Sequence, residues 1–100
     1  MNFEKRYDKV TDKFSKPGVT GLVPGDFLVE ECAELIQAVQ HYKRKRDNAK
    51  EHLANEMADV LTLIDCVKKW AGISDEEIRY YQTKLVDRYI DAIPDGRHVE

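Results

Sequence analysis

The chain is 100 residues long, and 35% of its residues are charged while 42% are apolar. This length fits one domain over residues 1–100, and a thin helical fold of this size often completes its core by self-association. The net charge of −3 argues against a nucleic-acid partner, although a bound divalent cation would still allow a phosphate-bearing small molecule.

The N-terminus has no apolar signal region, and no stretch approaches the ~18 apolar residues of a membrane span. Cys32 and Cys66 fall within helical patterns, which is typical of buried, reduced thiols. These features predict a cytoplasmic protein without a membrane partner.

Apolar spacing between the glycines and prolines predicts four helices. The first covers about Asn2 to Ser15, and a loop over Lys16–Gly25 follows. Asp26 is the expected N-cap of the second helix, which runs to about Arg46. The helical core of the domain is therefore expected to begin near residue 26.

The third and fourth helices are predicted from capping-box spacings, and the third ends before a glycine. The signals are Asn48 with Glu51, then Gly72 after Trp70–Ala71, and Ser74 with Glu77 for a fourth helix to about Ala92. The tail over residues 93–100 is expected to be loosely held.

The two central helices repeat one pattern at an offset of 25 residues. Each has apolar residues at i, i+4, i+7 and i+11, the stripe of a helix packed in a bundle, and acids at i+3 and i+6. At about 100° per residue the acids project sideways from the stripe of two helices that are expected to pack antiparallel. On the second helix the stripe is Leu28, Cys32, Leu35, Val39 and Tyr42, and the acid pairs are Glu31–Glu34 and Glu56–Asp59.

These four carboxylates would repel one another and lose solvation at a common point. A hard divalent cation resolves that conflict, and an all-carboxylate set suits Mg²⁺ or Mn²⁺ rather than Zn²⁺. The alternative is that each pair lies on a helix face exposed to water. Two pairs at the same position relative to the apolar stripe of their helix favour the metal site instead. Mg²⁺ held in this way usually holds substrate phosphates as well.

Lys84 and Arg88 stand four residues apart on the fourth helix, aligned with Tyr81 and Leu85. They are either the snorkelling edge of an amphipathic helix or contacts for phosphate, and the pattern alone leaves both interpretations open.

The segment Glu30–Leu35 followed by Glu56–Leu61 resembles the Glu-x-x-Glu … Glu-x-x-Asp signature of the MazG-like, all-α nucleoside triphosphate pyrophosphohydrolase superfamily. The resemblance covers about Asp26 to Tyr89. It implies an all-α, four-helix bundle whose core is completed in a homodimer or homotetramer. It also implies Mg²⁺-dependent hydrolysis of a nucleoside triphosphate, NTP or dNTP, to the monophosphate and pyrophosphate.

Carried over by position, the resemblance implies that Glu31, Glu34, Glu56 and Asp59 hold the metal. Glu31 or Glu34 would also help to take the proton of the attacking water. Lys84 and Arg88 resemble a basic pair that such proteins place near the phosphates. An asparagine that relatives carry near this pair has no clear match, since Gln82 is a doubtful substitute, and base and sugar recognition stay open.

Two alternatives share this scaffold. One is an enzyme that acts on phosphoribosyl-ATP or on one particular deoxynucleotide. The other is a non-catalytic helical module that binds a nucleotide or a partner while retaining the metal ligands.

Overall fold

The computed structural model describes residues 2–18 and 21–94, which contain four α-helices and no strand. The prediction of an all-α fold is thereby confirmed. The helices are α1 (Phe3–Phe14), α2 (Pro24–Lys43), α3 (Ala49–Ala71) and α4 (Asp75–Ile90). None of them combines the length and the apolar character that a membrane crossing requires. Most of the predicted loose tail, residues 95–100, lies outside the described residues.

The start of α2 corrects the sequence prediction, because Asp26 is not the N-cap. Val23 is the N-cap, and Pro24 follows at the first helical position. A backbone N–H at this position would have no partner within the helix, so proline loses no hydrogen bond there. Asp26 lies one turn in, and its carboxylate accepts a hydrogen bond from the backbone N–H of Val23 at 2.9 Å. The helix also ends at Lys43 rather than Arg46, since the chain turns at Lys45 with φ 54°.

The other three predicted caps lie at helix ends in the structure. Asn48 directly precedes α3, although with φ 59° and without a side-chain cap bond. Gly72 ends α3 in the left-handed region at φ 69°. The Ser74–Glu77 capping box is confirmed, because the Ser74 hydroxyl accepts from the Glu77 N–H, and the Glu77 carboxylate from the Ser74 N–H, both at 3.1 Å.

Helices α2 and α3 form an antiparallel hairpin that is the largest contact between elements. The ring of His41 near the end of α2 lies 5.9 Å from that of His52 near the start of α3. Further from the turn, Glu31 meets Glu56 and Asp59. The paired positions run in opposite directions along the two helices, which confirms the predicted antiparallel packing.

The predicted core stripe of α2 is only partly correct. Cys32, Val39 and Tyr42 are exposed in the single chain, so the prediction that Cys32 is buried was wrong, whereas Cys66 is buried. The face of α2 turned towards α3 is rotated to the side that carries Glu31 and Ala38. Among the described residues the buried apolar side chains are few: Pro24, Ala38, Ala49, Val60 and Cys66.

Polar contacts fasten α1 to α3. Lys69 donates to the buried hydroxyl of Thr11 at 2.7 Å and to the carboxylate of Asp12 at 2.8 Å. The Tyr7 hydroxyl donates to Asp65 at 2.5 Å. Helix α1 is thus placed by side-chain hydrogen bonds and an ion pair across its contact with α3.

A large apolar surface of the single chain is uncovered. Every residue of α4 is exposed, and so are Val29 and Ile36 on α2 and Met57 and Leu61 on α3. The radius of gyration is 17.2 Å, whereas a compact chain of this length has about 13 Å. The chain therefore presents more apolar surface than a monomer of this size normally leaves to water.

The left-handed cap at Gly72 gives a test of the helix bounds. A Cβ there would meet nothing within 4 Å, so Gly72→Ala should lose only the left-handed preference, about 1 kcal/mol of unfolding free energy. Urea unfolding at fixed protein concentration measures the change.

Gly25→Ala is the matched control. Gly25 lies within α2 at a negative φ, and its new Cβ would make an ordinary 3.6 Å contact with the Trp70 ring. This variant should be as stable as the wild type or slightly more stable. Equal losses in both variants would contradict the assigned end of α3.

Candidate metal centre

Three acids of the α2–α3 hairpin converge between the helices. Glu31 comes from α2, and Glu56 and Asp59, one turn apart, come from α3. One carboxylate oxygen of each lies within 4.8 Å of the others. Glu56 is buried, while Glu31 and Asp59 are half-buried. The structure therefore brings together three of the four predicted ligands.

Two of these carboxylates contain a buried oxygen that lacks a partner. Oε2 of Glu31 and Oε2 of Glu56 are shielded from water, and neither accepts a hydrogen bond from any part of the chain that the structure describes. Buried carboxylate oxygens are costly unless a donor or a cation satisfies them. The donor set is all oxygen, so the site fits a hard dication such as Mg²⁺ or Mn²⁺.

The electrostatics of the carboxylates by themselves show the same conflict. Burial, and then the neighbouring carboxyls of Glu34, Asp59 and Glu56, raise the pKa of Glu31 to about 7. Glu34 is exposed and lies beside Glu31, outside the group of three. Its role as a ligand stays a prediction, and so does the catalytic role of Glu31 and Glu34.

His52 is a neighbour of the acids that the sequence analysis missed. Its Nε2 lies 3.5 Å from Oε1 of Glu56, one helical turn away on α3. Glu56 thus has one oxygen beside an imidazole and the other without a partner. The i,i+4 spacing of these two residues is the signal that could have found the contact.

Lys84 and Arg88 lie on the exposed α4, apart from the acids. They line a groove together with Ile78, Tyr81, Gln82 and Leu85, and none of the clustered acids borders it. The Lys84 ammonium is 4.9 Å from the ring centroid of Tyr80, and the Arg88 guanidinium is 5.3 Å from that of Tyr89. Their predicted contact with phosphate stays a prediction.

A cavity of about 340 Å³ opens beside the acids, and Glu31 and Asp59 form part of its wall. Its other walls come from all three of the first helices, including Phe14 of α1, Phe27 of α2 and Thr62 of α3. Sequence periodicity could not reveal it, because it depends on where α1 docks.

The comparisons with known proteins bear on the same segment. The family described as the MazG nucleotide pyrophosphohydrolase domain matches residues 24–89, which is more than half of the chain. The chain belongs to the MazG family. The match contains all four predicted ligands and the Lys84–Arg88 pair, and it leaves α1 outside. Neither the search of curated proteins nor that of solved structures gave a match.

Family membership confirms the resemblance drawn from the Glu-x-x-Glu and Glu-x-x-Asp motifs. It places the converging acids, and two of the three walls of the adjacent cavity, within a MazG domain. The aromatic side chain that α1 adds to the cavity is a feature of this chain beyond the matched segment.

The raised pKa of Glu31 predicts how the stability of the metal-free protein depends on pH. The folded state binds a proton near pH 7, whereas an unfolded glutamate binds it only near its ordinary pKa of 4.5. The stability contributed by this group should therefore rise as the pH falls from about 7 to 4.5 and should be lost above 7.

Thermal unfolding in EDTA across this pH range measures the effect. Glu31→Gln should be more stable than the wild type near pH 8, and the difference should shrink towards pH 4.5. Glu30→Gln, at an exposed position next in sequence, is the control. Parallel pH profiles for wild type and Glu31→Gln would contradict the assignment.

Proposed function

We propose that this protein is a Mg²⁺-dependent nucleoside triphosphate pyrophosphohydrolase that cleaves an NTP or dNTP to the monophosphate and pyrophosphate. The observation that supports it most is the group of three carboxylates on α2 and α3 with two buried, unpartnered oxygens, within a MazG domain. Mn²⁺ suits the same oxygen ligands and should substitute for Mg²⁺.

Glu31, Glu56 and Asp59 would hold the ion, and Glu34 would join them from the exposed side next to Glu31. When bound, Mg²⁺ would neutralise part of the phosphate charge and lower the pKa of an adjacent water. By fixing the ion at one point, the carboxylates would orient the phosphates that it binds, and the protein would supply no covalent chemistry.

A carboxylate must also accept the proton of the attacking water. Glu31 and Glu34 are the candidates, because they are adjacent and Glu34 remains outside the tight group of three. The pKa of Glu31, which burial and the neighbouring carboxyls raise to about 7, supports a role for Glu31 in proton transfer near neutral pH. Proton uptake would then lie on the side of the site where Glu34 is exposed to solvent.

The uncovered apolar surface supports a homo-oligomer, either a dimer or a tetramer. Val29 is 71% exposed, Ile36 65% and Leu61 61%, and they lie on the sides of α2 and α3 turned away from the shared core. A second copy would cover such a surface. Because the groove with Lys84 and Arg88 includes none of the acids, we place this pair near the phosphates only in the assembled oligomer.

The enzymatic proposal predicts that Glu56→Gln and Asp59→Asn abolish pyrophosphate release from a panel of NTPs and dNTPs with Mg²⁺. Loss of a metal ligand should exceed the roughly 10- to 100-fold effect that outer-shell changes cause. The far-UV CD spectrum should stay helical, since each substitution keeps the side-chain size and removes a charge from a repelling group.

Glu51→Gln, at an exposed acid in the first turn of α3, should turn over as the wild type does. Unchanged turnover in Glu56→Gln and Asp59→Asn would refute the metal site. Stabilisation of the wild type by NTP and Mg²⁺ without any product would instead indicate a non-catalytic nucleotide-binding module.

The proposed oligomer predicts that Ile36→Glu or Leu61→Glu lowers the molar mass in solution to that of one chain. A charge in a buried apolar contact is costly, so dissociation should be complete at micromolar concentrations. Light scattering after size exclusion measures the mass. Gln37→Glu, an exposed position on the adjacent side of α2, should not change it. A wild type that is already monomeric would rule out this arrangement.

A further inference from the structure

Positive charge is concentrated at the turn between α2 and α3, which we call the basic turn (residues 43–50). These eight residues contain five of the 16 lysines and arginines of the chain and one of its 19 acids. The five cations are all exposed: Lys43, Arg44, Lys45, Arg46 and Lys50. Because the whole chain has a net charge of −3, the basic turn is opposite in charge to the rest of the molecule.

The cations of the basic turn are not neutralised by acids of the chain. Among residues 2–18 and 21–94 no ion pair includes any of them, although Asp47 and Glu51 are close in sequence. Burial, and then the charges of Arg46, His52 and Arg44, lower the pKa of His41 at the end of α2. The basic turn is therefore a region where like charges repel one another.

Helix dipoles account for only part of this cluster. Lys43 is in the last turn of α2, where the negative end of the helix dipole stabilises a cation. Lys50 is in the first turn of α3, and Arg46 precedes the N-cap Asn48 by two residues. The positive end of a helix dipole disfavours cations at such positions. A bound anion would offset the cost of placing Arg46 and Lys50 there.

The basic turn surrounds a cavity of about 530 Å³, which is within the range of small-molecule sites. Backbone hydrogen bonds fix its shape. The N–H of Arg46 donates to the carbonyl of His41 at 3.2 Å, and the N–H of Ala49 donates to the carbonyl of Arg46 at 3.1 Å. The wall contains four cations, one acid and a half-exposed tyrosine: Lys43, Lys45, Arg46, Lys50, Glu51 and Tyr42.

This cavity is separate from the candidate metal centre, because none of Glu31, Glu56 and Asp59 borders it. On α3, Glu56 follows Lys50 by six residues, which is about 9 Å along the helix axis and about 120° around it. On α2, Lys43 follows Glu31 by twelve residues, or about 18 Å. A ligand in the cavity therefore has its own set of contacts.

We propose that the cavity of the basic turn binds a small molecule that carries two or more phosphate groups. Several cations around one cavity suit a ligand with several negative charges better than a single carboxylate or phosphate. A compact ligand is favoured over a nucleic acid or an anionic membrane, because the acidic remainder of the chain would repel a long or flat polyanion beyond the turn. The site is independent of the proposed catalysis, since the cations of the chain and not a metal ion neutralise the phosphates.

The test uses the full chain in EDTA, so that no metal ion can hold phosphate at the acids. Calorimetry with inorganic tripolyphosphate should show binding that weakens as salt is added. The triple variant Lys45→Gln, Arg46→Gln, Lys50→Gln should weaken this binding by about tenfold, the combined effect of three exposed charge contacts. The amide NMR signals that shift on binding should belong to the basic turn.

The matched control is the triple variant Lys5→Gln, Arg6→Gln, Lys9→Gln. It also removes two lysines and one arginine, from exposed positions of α1 that do not border the cavity. It should bind tripolyphosphate as the wild type does. Equal losses in the two triple variants, or no loss in the first, would overturn the site, and so would amide shifts confined to other parts of the chain.

A nucleoside triphosphate in EDTA identifies the source of the phosphates. Tighter binding than tripolyphosphate, with the difference removed by Tyr42→Leu, supports a nucleotide whose base covers the Tyr42 ring. Equal binding of the two supports an inorganic oligophosphate. Tighter binding of single-stranded DNA than of either would assign the turn to a long polyanion and overturn the proposal. Because the test uses neither Mg²⁺ nor turnover, failure of the proposed catalysis would leave its result unchanged.

Discussion

Repulsion among carboxylates at the centre of the α2–α3 contact is the constraint on which the rest of the structure depends. The buried apolar core is small, and Glu56 is buried together with Ala38 and Val60 on the two helices of the hairpin. Apolar side chains there would stabilise the hairpin more than a group of acids does. A cation between the helices would turn the least favourable part of the contact into a cross-link, so ion binding and hairpin stability are coupled.

The position of α1 follows from a different kind of force. Helix α1 meets α3 through an ion pair and hydrogen bonds around Thr11 and Lys69, and its apolar residues Val10 and Phe14 are left to face the cavity. Polar contacts of this kind fix direction and register better than they add stability. The cavity beside the acids is therefore shaped by polar contacts, and its apolar wall remains available to a ligand.

The sequence predicted the parts of this arrangement that depend on local periodicity. The 25-residue repeat placed Glu31 opposite Glu56 and Asp59, and the capping box at Ser74 and the glycine at 72 located helix ends correctly. It failed at the core stripe of α2, because that helix has two neighbouring apolar sides and only one of them meets α3. The cavity and the His52 contact with Glu56 require the tertiary arrangement, which periodicity does not contain.

Those two apolar sides connect the site with assembly. Consecutive residues on a helix point about 100° apart, so Glu31 turns into the hairpin while Cys32 turns out to the exposed side. The same holds on α3, where Glu56 is buried and Met57 is exposed. Each helix thus presents its clustered acids to the other helix of the hairpin and leaves an apolar side exposed. Any partner that packs on the outer side also fixes the angle at which the acids meet, because α2 and α3 cannot rotate about their axes without moving both sets at once.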